Sequence, residues 1–288
     1  MNLPANAPPC IRSRVPYADY AAIPAISISR LKELRKSPLH YQHALKHPKE
    51  SAALTLGTAA HTATLEPERF AADYAAWGEK TESGRARPRN GKDWDAFKLE
   101  HSGRTIITAD EYATAVSIQQ AVRNDPIARV YLEGLGDPEV TMQWNDGTFD
   151  CKGRADWWAK FDARDVLVGL KTTRDIGERP FKAQAARLGY HMQWAHYADG
   201  WKSITGSEPI MIEIVVESAA PHVVVCYEIP AEVLNRGRDE VAELKLVLAE
   251  CEASGRWPGP GTELKIMSLP AWAYGEDYEM QITDAEEG

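Results

Sequence analysis

The segment PEVTMQWNDGTFDCKGRADWWAKFDARDVLVGLKTT, residues 138–173, decides the fold class of this chain. Its first part alternates apolar and polar residues, which predicts a strand with one buried face. The dipeptide Asp146-Gly147 predicts a hairpin turn, after which a second alternating strand returns. A third strand, with Val166, Val168 and Leu170 on its apolar face, ends the segment. Three consecutive strands therefore form the centre of the predicted sheet.

Helical patterns lie on both sides of these strands in the sequence. Before them, helices are predicted around 29–35, 40–47, 53–65 and 108–122, the last opened by a capping box at Thr108. After them, the predicted elements are a helical region 180–203 interrupted near Gly189, strands 211–216 and 223–229, and a helix 231–253. This order predicts an α/β fold in which a mixed central sheet is flanked by helices, with a helical N-terminal elaboration.

Composition divides the chain into three parts. Residues 1–25 are rich in Pro and Ala and predict an extended arm, residues 26–270 a single domain, and residues 271–288 an acidic tail. Four widely spaced cysteines and no apolar run of membrane-spanning length favour a cytoplasmic protein with no membrane partner.

The net charge of −9 is unevenly distributed. Six acidic and no basic residues lie in the tail, so without it the net charge is −3. The stretch GRARPRNGK, residues 84–92, is basic, and we expect Arg85, Arg87, Arg89 and Lys92 to contact phosphates. The total charge therefore does not exclude DNA as a partner. The tail itself is predicted to dock a basic partner or to mimic DNA as an inhibitor.

Asp156 and Lys171 carry the predicted chemistry. An acid on one strand and a lysine on its neighbour suit metal-dependent phosphodiester hydrolysis, because carboxylates bind Mg²⁺ through oxygen and the cation activates water. The lysine then orients that water and offsets the charge that develops on the phosphoryl group.

The ordered motifs resemble those of PD-(D/E)XK nucleases, and in particular the RecE-type exonucleases of prophages. Asp156 followed by GLKTT resembles the nuclease signature, where the RecE-type exonucleases read D-[LVI]-K-T-T. The segments SPLHY (37–41), LGTAAH (56–61) and YHMQ (190–193) resemble further RecE-type motifs, and the likeness extends over about residues 27–230. It implies a restriction-endonuclease-like core.

The resemblance assigns roles to individual residues. His61, Asp156 and the Leu170 carbonyl would hold Mg²⁺, for which Mn²⁺ substitutes, and Lys171 would serve the attacking water. Gln193 and Tyr197 share a helix face and would position substrate or the lysine. Glu139 matches an acid that such nucleases carry on the strand before the hairpin.

Gly169 departs from the family pattern, because it stands where the second metal-binding acid is expected. The chain is then an inactivated exonuclease, a degenerate relative that binds DNA without cutting it, or a protein in which another acid has moved into the role. Asp162, Asp165 and Asp175 are the nearby acids. The first interpretation is preferred because the surrounding motif is intact, and it predicts that Gly169→Asp raises Mg²⁺-dependent digestion by orders of magnitude.

The resemblance also implies substrate and partners. A RecE-type enzyme degrades one strand of linear double-stranded DNA from the 5′ end, leaving a 3′ overhang for a single-strand-annealing recombinase of the RecT or Redβ kind. A ring-like homo-oligomer is expected on the same ground. The alternatives are a catalytically dead DNA-end-binding or scaffold protein of the same fold, and a PD-(D/E)XK endonuclease.

Overall fold

The computed structural model describes residues 8–47, 55–78, 88–261, 264 and 266–269. Within these ranges seven strands form one sheet, and β3 and β4 pair separately. The strands are β1 (Cys10–Arg12), β2 (Ile26–Ser27), β3 (Tyr74–Trp77), β4 (Thr105–Thr108), β5 (Gly136–Asn145), β6 (Asp150–Phe161), β7 (Arg164–Thr173), β8 (Ile210–Glu217) and β9 (Val224–Glu228).

Helices account for most of the remaining described chain. They are α1 (Tyr17–Ala22), α2 (Ile28–Leu31), α3 (Pro38–Lys46), α4 (Thr55–Leu65), α5 (Pro67–Asp73), α6 (Gly91–Glu100), α7 (Ala109–Asn124), α8 (Ala128–Leu132), α9 (Glu178–Leu188), α10 (Tyr190–Thr205) and α11 (Ala231–Ser254). A single 3-10 turn, Lys32–Arg35, continues α2.

The main sheet is mixed. Its order is β1-β5-β6-β7-β8-β9, with β2 beside β6. The strands β5, β6 and β7 form an antiparallel meander, β7 and β8 run parallel, and β9 turns back beside β8. The parallel pair needs a crossover, which α9 and α10 supply. This is the mixed α/β architecture predicted from the sequence.

Two apolar layers bury the two faces of the sheet. One contains Val166, Val168 and Leu170 of β7 together with residues of α4 and α7. The other contains Leu167 with residues of β5 and α10. The alternation of β7 therefore places neighbouring residues in opposite layers, as its period of two requires.

The strands β6 and β7 separate close to Asp156. Their register runs from the hairpin turn to the pair Trp157 and Val168 and stops there, although β7 continues beside β8 to Thr173. Asp156 and Gly169 are the next residues along the two strands. The separation opens the sheet at this point and leaves backbone groups of β7 available to side chains.

Most predicted elements are found within one or two residues of their expected bounds. The capping box at Thr108 is present in both directions, and Gly189 ends α9 and precedes α10 in the left-handed conformation, with φ 66°. A left-handed residue at a helix end is most easily glycine, because it has no Cβ to clash.

The prediction of an extended arm over residues 1–25 is wrong for its described part. β1 pairs antiparallel with β5, and α1 follows it. The Lys152 ammonium fixes this segment by donating to the carbonyls of Tyr20, Ala21 and Ile23. Residues 8–25 therefore pack as part of the domain, and their carbonyls supply the acceptors that a buried lysine on β6 needs.

Two further expectations concern the surface. The basic loop ends earlier than predicted, since α6 begins at Gly91; the acidic tail, residues 271–288, lies outside the described residues. Among the described residues, no helix is long and apolar enough to cross a membrane.

Candidate active site

Asp156 lies where β6 leaves β7. Its Oδ2 accepts a hydrogen bond of 2.7 Å from the Leu170 backbone N–H, a group that would otherwise continue the ladder between the strands. Because the carboxylate replaces a lost ladder bond, its position is fixed by the main chain of the neighbouring strand. Asp156 is therefore held rigidly at the opening of the sheet.

Lys171 extends from the next strand toward the same place. Its Nζ lies 3.6 Å from Asp156 Oδ2 and 5.6 Å from the centre of the Tyr190 ring. The side chain is only 15% exposed. The sequence prediction that Asp156 and Lys171 share one site is thus met by the geometry.

His61 reaches this site from α4, which packs against β7. The ring hydrogen-bonds the backbone of Leu170 and interacts electrostatically with Asp156 and Lys171. Burial lowers the pKa of His61, and the Asp156 charge opposes that effect only in part. A neutral imidazole has a nitrogen lone pair available for a cation.

Glu213 is a buried carboxylate that the sequence analysis did not select. It lies on β8 directly beside Gly169 in the parallel register, and its side chain is only 1% exposed. Trp194 Nε1 donates to Glu213 Oε2, and Glu213 Oε1 lies 3.4 Å from Lys171 Nζ. Lys171 therefore sits between two carboxylates rather than beside one.

Gly169 faces this carboxylate closely. A Cβ added to Gly169 would lie 2.5 Å from Glu213 Oε1 and 2.7 Å from Oε2, distances that real Cβ atoms do not show. The position is therefore already filled, by a side chain from the adjacent strand. The prediction that Gly169→Asp restores a missing group stays a prediction; in this structure the new side chain and the Glu213 carboxylate would share one space.

The three acids considered as replacements are engaged elsewhere. Asp165 accepts hydrogen bonds from the indoles of Trp158 and Trp201 near the hairpin end of β7. Asp162 lies in that hairpin turn with φ 45°, and Asp175 accepts from the Gly177 N–H after β7. Their sequence proximity to Gly169 was misleading, since the nearest acid in space is on another strand.

Glu139 lies on β5, across β6 from Lys171 and Glu213. Its neighbours in β5 pair with Trp157 and Ala155, so it stands opposite Asp156. It forms an ion pair with Arg154, and its backbone is left-handed with φ 55°, a strained conformation for a residue with a Cβ. Burial, with the Asp156 charge as the second cause, raises its pKa to about 7.

Gln193 and Tyr197 share one face of α10, as their spacing predicts. Gln193 Nε2 donates to Tyr197 Oη over 3.1 Å. Tyr197 interacts electrostatically with Asp156 and Lys171, and burial raises its pKa to about 12. At neutral pH it is therefore a hydrogen-bonding phenol on the border of the site.

The basic loop is only partly described. Arg85 and Arg87 lie outside the described residues. Arg89 lies 3.9 Å from Glu111 and stacks over Trp94 at 5.9 Å from the ring centre, while Lys92 is exposed in the first turn of α6. The predicted phosphate contacts of these four residues stay a prediction.

The charges of the site support one another. Burial alone would lower the pKa of Lys171, but the Glu213 and Asp156 carboxylates outweigh it and raise that pKa above its ordinary value. Burial alone would raise the pKa of Asp156, but Lys171, His61 and the Leu170 N–H lower it. Lys171 is therefore an ammonium and Asp156 a carboxylate at neutral pH.

The donor set fits a hard divalent cation. Carboxylate oxygen, a backbone carbonyl and an imidazole are all available at Asp156, Leu170 and His61, the three groups that the sequence predicts as ligands. Within the described ranges Glu213 Oε1 is buried and accepts no hydrogen bond. The Lys171 ammonium faces this oxygen at 3.4 Å, and a bound divalent cation would offset the cost of its burial further. Among the described residues, no group of three or more His, Cys, Asp or Glu side chains is arranged so that it could hold a metal ion as it stands.

Sequence reasoning could have found Glu213. It is the one charged residue in the run IMIEIVV, residues 210–216, which otherwise reads as a fully buried strand. A charge in such a strand is rare unless it is paired or binds a cation. Trp194 and Tyr190 carried no comparable signal, because aromatic residues on a helix ordinarily belong to the core.

This fold is that of the PD-(D/E)XK nuclease superfamily. The chain belongs to the family described as "PDDEXK-like domain of unknown function (DUF3799)", whose model matches residues 27–268. A search of curated protein sequences found no significant match.

Solved structures share the fold at low sequence identity. A crystal structure from Eubacterium rectale described as "Putative exonuclease" is 13% identical, with TM-score 0.59, and the alignment covers 90% of this chain and 96% of that one. A structure described as SSO0001 is also 13% identical, and the alignment covers 76% of this chain and 75% of that one. Its TM-score of 0.31 is too low to indicate a shared fold.

Proposed function

We propose that this chain is a Mg²⁺-dependent exonuclease that degrades one strand of linear double-stranded DNA from the 5′ end and leaves a 3′ single-strand overhang. The observation that carries the proposal is the site itself. Lys171 Nζ lies 3.6 Å from Asp156 Oδ2 and 3.4 Å from Glu213 Oε1, with His61 on the Leu170 backbone, in a chain of the PDDEXK-like family.

The finer parts of this proposal have separate support. The Eubacterium rectale protein of similar fold is described as an exonuclease, which favours attack at DNA ends. The polarity and the overhang are supported by the resemblance of GLKTT and the accompanying motifs to RecE-type exonucleases. The same resemblance supports a cytoplasmic role in homologous recombination.

The residues of the site have distinct chemical tasks. Asp156, His61 and the Leu170 carbonyl would hold Mg²⁺, which would supply Lewis acidity toward the phosphate and lower the pKa of water. The Lys171 ammonium orients the attacking water and stabilises the negative charge on the phosphoryl oxygens. Tyr197, fixed by Gln193, presents its phenol at the edge of the site and positions Lys171 or the scissile phosphate.

Partners follow from the proposed product. A 3′ single-stranded overhang is the substrate of an annealing recombinase, so we propose a RecT- or Redβ-like partner. A ring-like homo-oligomer would keep the enzyme on one DNA molecule, because a tethered strand rebinds at a high effective concentration. The acidic tail is proposed as the docking segment for a basic partner.

A digestion assay tests the proposal. Linear duplexes carrying a label on one 5′ or one 3′ end, and a covalently closed circle of the same sequence, are incubated with the purified chain and Mg²⁺, Mn²⁺ or EDTA. We expect early release of the 5′ label from linear DNA, no cleavage of the circle and no reaction in EDTA.

The other outcomes identify the alternatives. Cleavage of the closed circle would show an endonuclease. Retention of linear DNA without digestion, even at high Mn²⁺, would show an end-binding or scaffold protein. Early release of the 3′ label would overturn the proposed polarity alone.

A further inference from the structure

Glu213 is a carboxylate in an apolar environment with an unusual set of neighbours. Its side chain is 1% exposed, and in the described part of the chain the indole of Trp194 is the hydrogen-bond donor to Oε2. Oε1 is buried without a hydrogen bond and points to the Lys171 ammonium at 3.4 Å. A buried charge of this kind is costly, so a structural role alone is a weak reason to keep it.

The space in front of Glu213 exists because residue 169 is glycine. All three atoms of the Glu213 carboxylate group lie within 2.8 Å of the place where a Cβ of residue 169 would be. The two positions are register partners in parallel strands, so their side chains share one face of the sheet. The Glu213 carboxylate thus occupies the space in which the side chain of an Asp at position 169 would lie.

We propose that Glu213 supplies the second metal-binding carboxylate of this site from the neighbouring strand, and that Gly169 is the change that makes room for it. The inference rests on the proposed function in requiring a divalent cation beside Asp156. The acid expected at position 169 on β7 is then replaced by Glu213 on β8. In that case the site has both of its metal-binding carboxylates.

Charge balance supports the assignment. When both carboxyl groups are ionised, Asp156 and Glu213 carry two negative charges against the one positive charge of Lys171. Burial raises the pKa of Glu213, and a divalent cation beside it would oppose that effect. Lys171 lies between the two carboxylates at 3.6 Å and 3.4 Å. Both carboxylates therefore face the same ammonium, which places them on one side of the sheet around a common point.

The competing explanation is that Glu213 only neutralises Lys171. Glu213→Gln separates the two, because the amide keeps the shape of the side chain and an oxygen for the Trp194 donor but lacks the charge. Mn²⁺ binding to the full chain is measured by titration calorimetry and by the loss of the free-Mn²⁺ paramagnetic resonance signal. We expect at least about a tenfold weaker Mn²⁺ affinity, since even outer partners of a metal ligand contribute that much.

Glu217→Gln is the matched control. It makes the same chemical change on the same strand, four residues further along and beside Thr173. We expect its Mn²⁺ affinity to equal that of the unchanged chain. Thermal unfolding of both variants shows whether either change affects the fold.

Moving the carboxylate from position 213 on β8 to position 169 on β7 tests whether the two positions share one role. Glu213→Ala and Gly169→Asp are each expected to weaken Mn²⁺ binding at least about tenfold, the first by removing a ligand and the second by forcing two carboxylates together. The double variant restores one carboxylate in the vacated space and is expected to bind Mn²⁺ more tightly than either single variant.

The outcomes separate this inference from the proposed function. Glu213→Gln with unchanged Mn²⁺ affinity, or Gly169→Asp alone with tighter Mn²⁺ binding and faster digestion, overturns the inference while leaving a nuclease in place. An unchanged chain that binds Mn²⁺ through Glu213 but digests no DNA overturns the proposed function and leaves the inference standing. A chain that binds no Mn²⁺ overturns both.

Discussion

Lys171 is the residue whose chemistry depends most on its surroundings. Its ammonium is retained in a mostly buried site because two carboxylates face it, and those same carboxylates lie where a cation would bind. A lysine in this position can stabilise phosphoryl charge without exchanging its proton at neutral pH. Its contribution is therefore electrostatic and directional.

Replacement of Lys171 by methionine is expected to separate binding from catalysis. Lys171→Met keeps the unbranched apolar stem of the side chain and removes the charged end, so digestion should fall by about 10²–10³-fold, the usual cost of losing one such donor. Mn²⁺ affinity, measured by calorimetry, should be retained or increased, because a competing positive charge is removed.

Lys202→Met is the control for this prediction. Lys202 is an exposed residue of α10 that pairs with Glu208, and exposed ion pairs contribute little. Its digestion rate should be unchanged. Full activity of Lys171→Met would show that Lys171 is only a counter-ion to the buried acids.

The helix α10 carries several of the side chains that surround the charged groups of the active site. Its Trp194 donates to Glu213, its Tyr197 interacts with Asp156 and accepts from Gln193, and its Tyr190 ring lies beside the Lys171 ammonium. Because one rigid helix carries all four side chains, their mutual positions follow from its docking on β5 and β6. The helix α10 thus helps to fix the positions of charged side chains that come from β6, β7 and β8.

Trp194→Phe is expected to loosen the Glu213 carboxylate. The substitution removes the indole donor while keeping an aromatic ring in the core, and the loss of an orienting partner commonly lowers metal affinity by about 10–100-fold. Mn²⁺ titration measures this effect. Trp201→Phe is the control, since it removes an indole donor from the same helix whose acceptor is Asp165; an equal loss in both variants would contradict the prediction.

The helix α7 is stabilised at its first turn by a reciprocal cap. The Thr108 hydroxyl accepts from the Glu111 N–H, and the Glu111 carboxylate accepts from the Thr108 N–H. Thr108→Ala should lower the free energy of unfolding by about 1 kcal/mol, measured by denaturant titration.

Thr114→Ala on the same helix is the comparison for the cap. The Thr114 hydroxyl is exposed and donates to the Asp110 carbonyl in the preceding turn. Its replacement should change stability by less than about 0.5 kcal/mol. Equal effects of the two substitutions would show that the cap adds nothing beyond side-chain propensity.

At the scale of the whole molecule, stability should depend on pH through His196. The ring is 2% exposed, and its Nε2 pairs with the Lys152 carbonyl. Burial lowers its pKa from 6.5 to about 3. Between these values the unfolded chain binds a proton that the folded chain excludes, so the free energy of unfolding falls as the pH falls.

The size of this effect is about 1.4 kcal/mol per pH unit below the unfolded pKa. Denaturant titrations at about pH 7 and about pH 5 measure it. His196→Gln should reduce the pH dependence over this interval, because glutamine does not titrate. A variant with an undiminished pH dependence would show that other groups cause it.

The sequence by itself determined the order of β5 to β9 and of the long helices around them, and the pair at the centre of the site. It did not indicate the short elements α1, α5, α6, α8 and β1 to β4. Periodicity, the capping box at Thr108 and the break at Gly189 are local signals, and local signals fix helices and strands. The pairing of Asp156 with Lys171 could also be predicted, because a hairpin and a period of two place them on neighbouring strands.

Only the tertiary structure decided what Gly169 means. The side chain that fills its space comes from Glu213, 44 positions further along the chain, and β7 and β8 meet only through the crossover formed by α9 and α10. The same holds for residues 8–25, whose place in the domain depends on acceptors for a buried lysine of β6. Contacts between distant segments depend on tertiary packing, which local sequence patterns do not encode. A residue that is missing from a motif can therefore have its space filled by a side chain from a distant part of the chain.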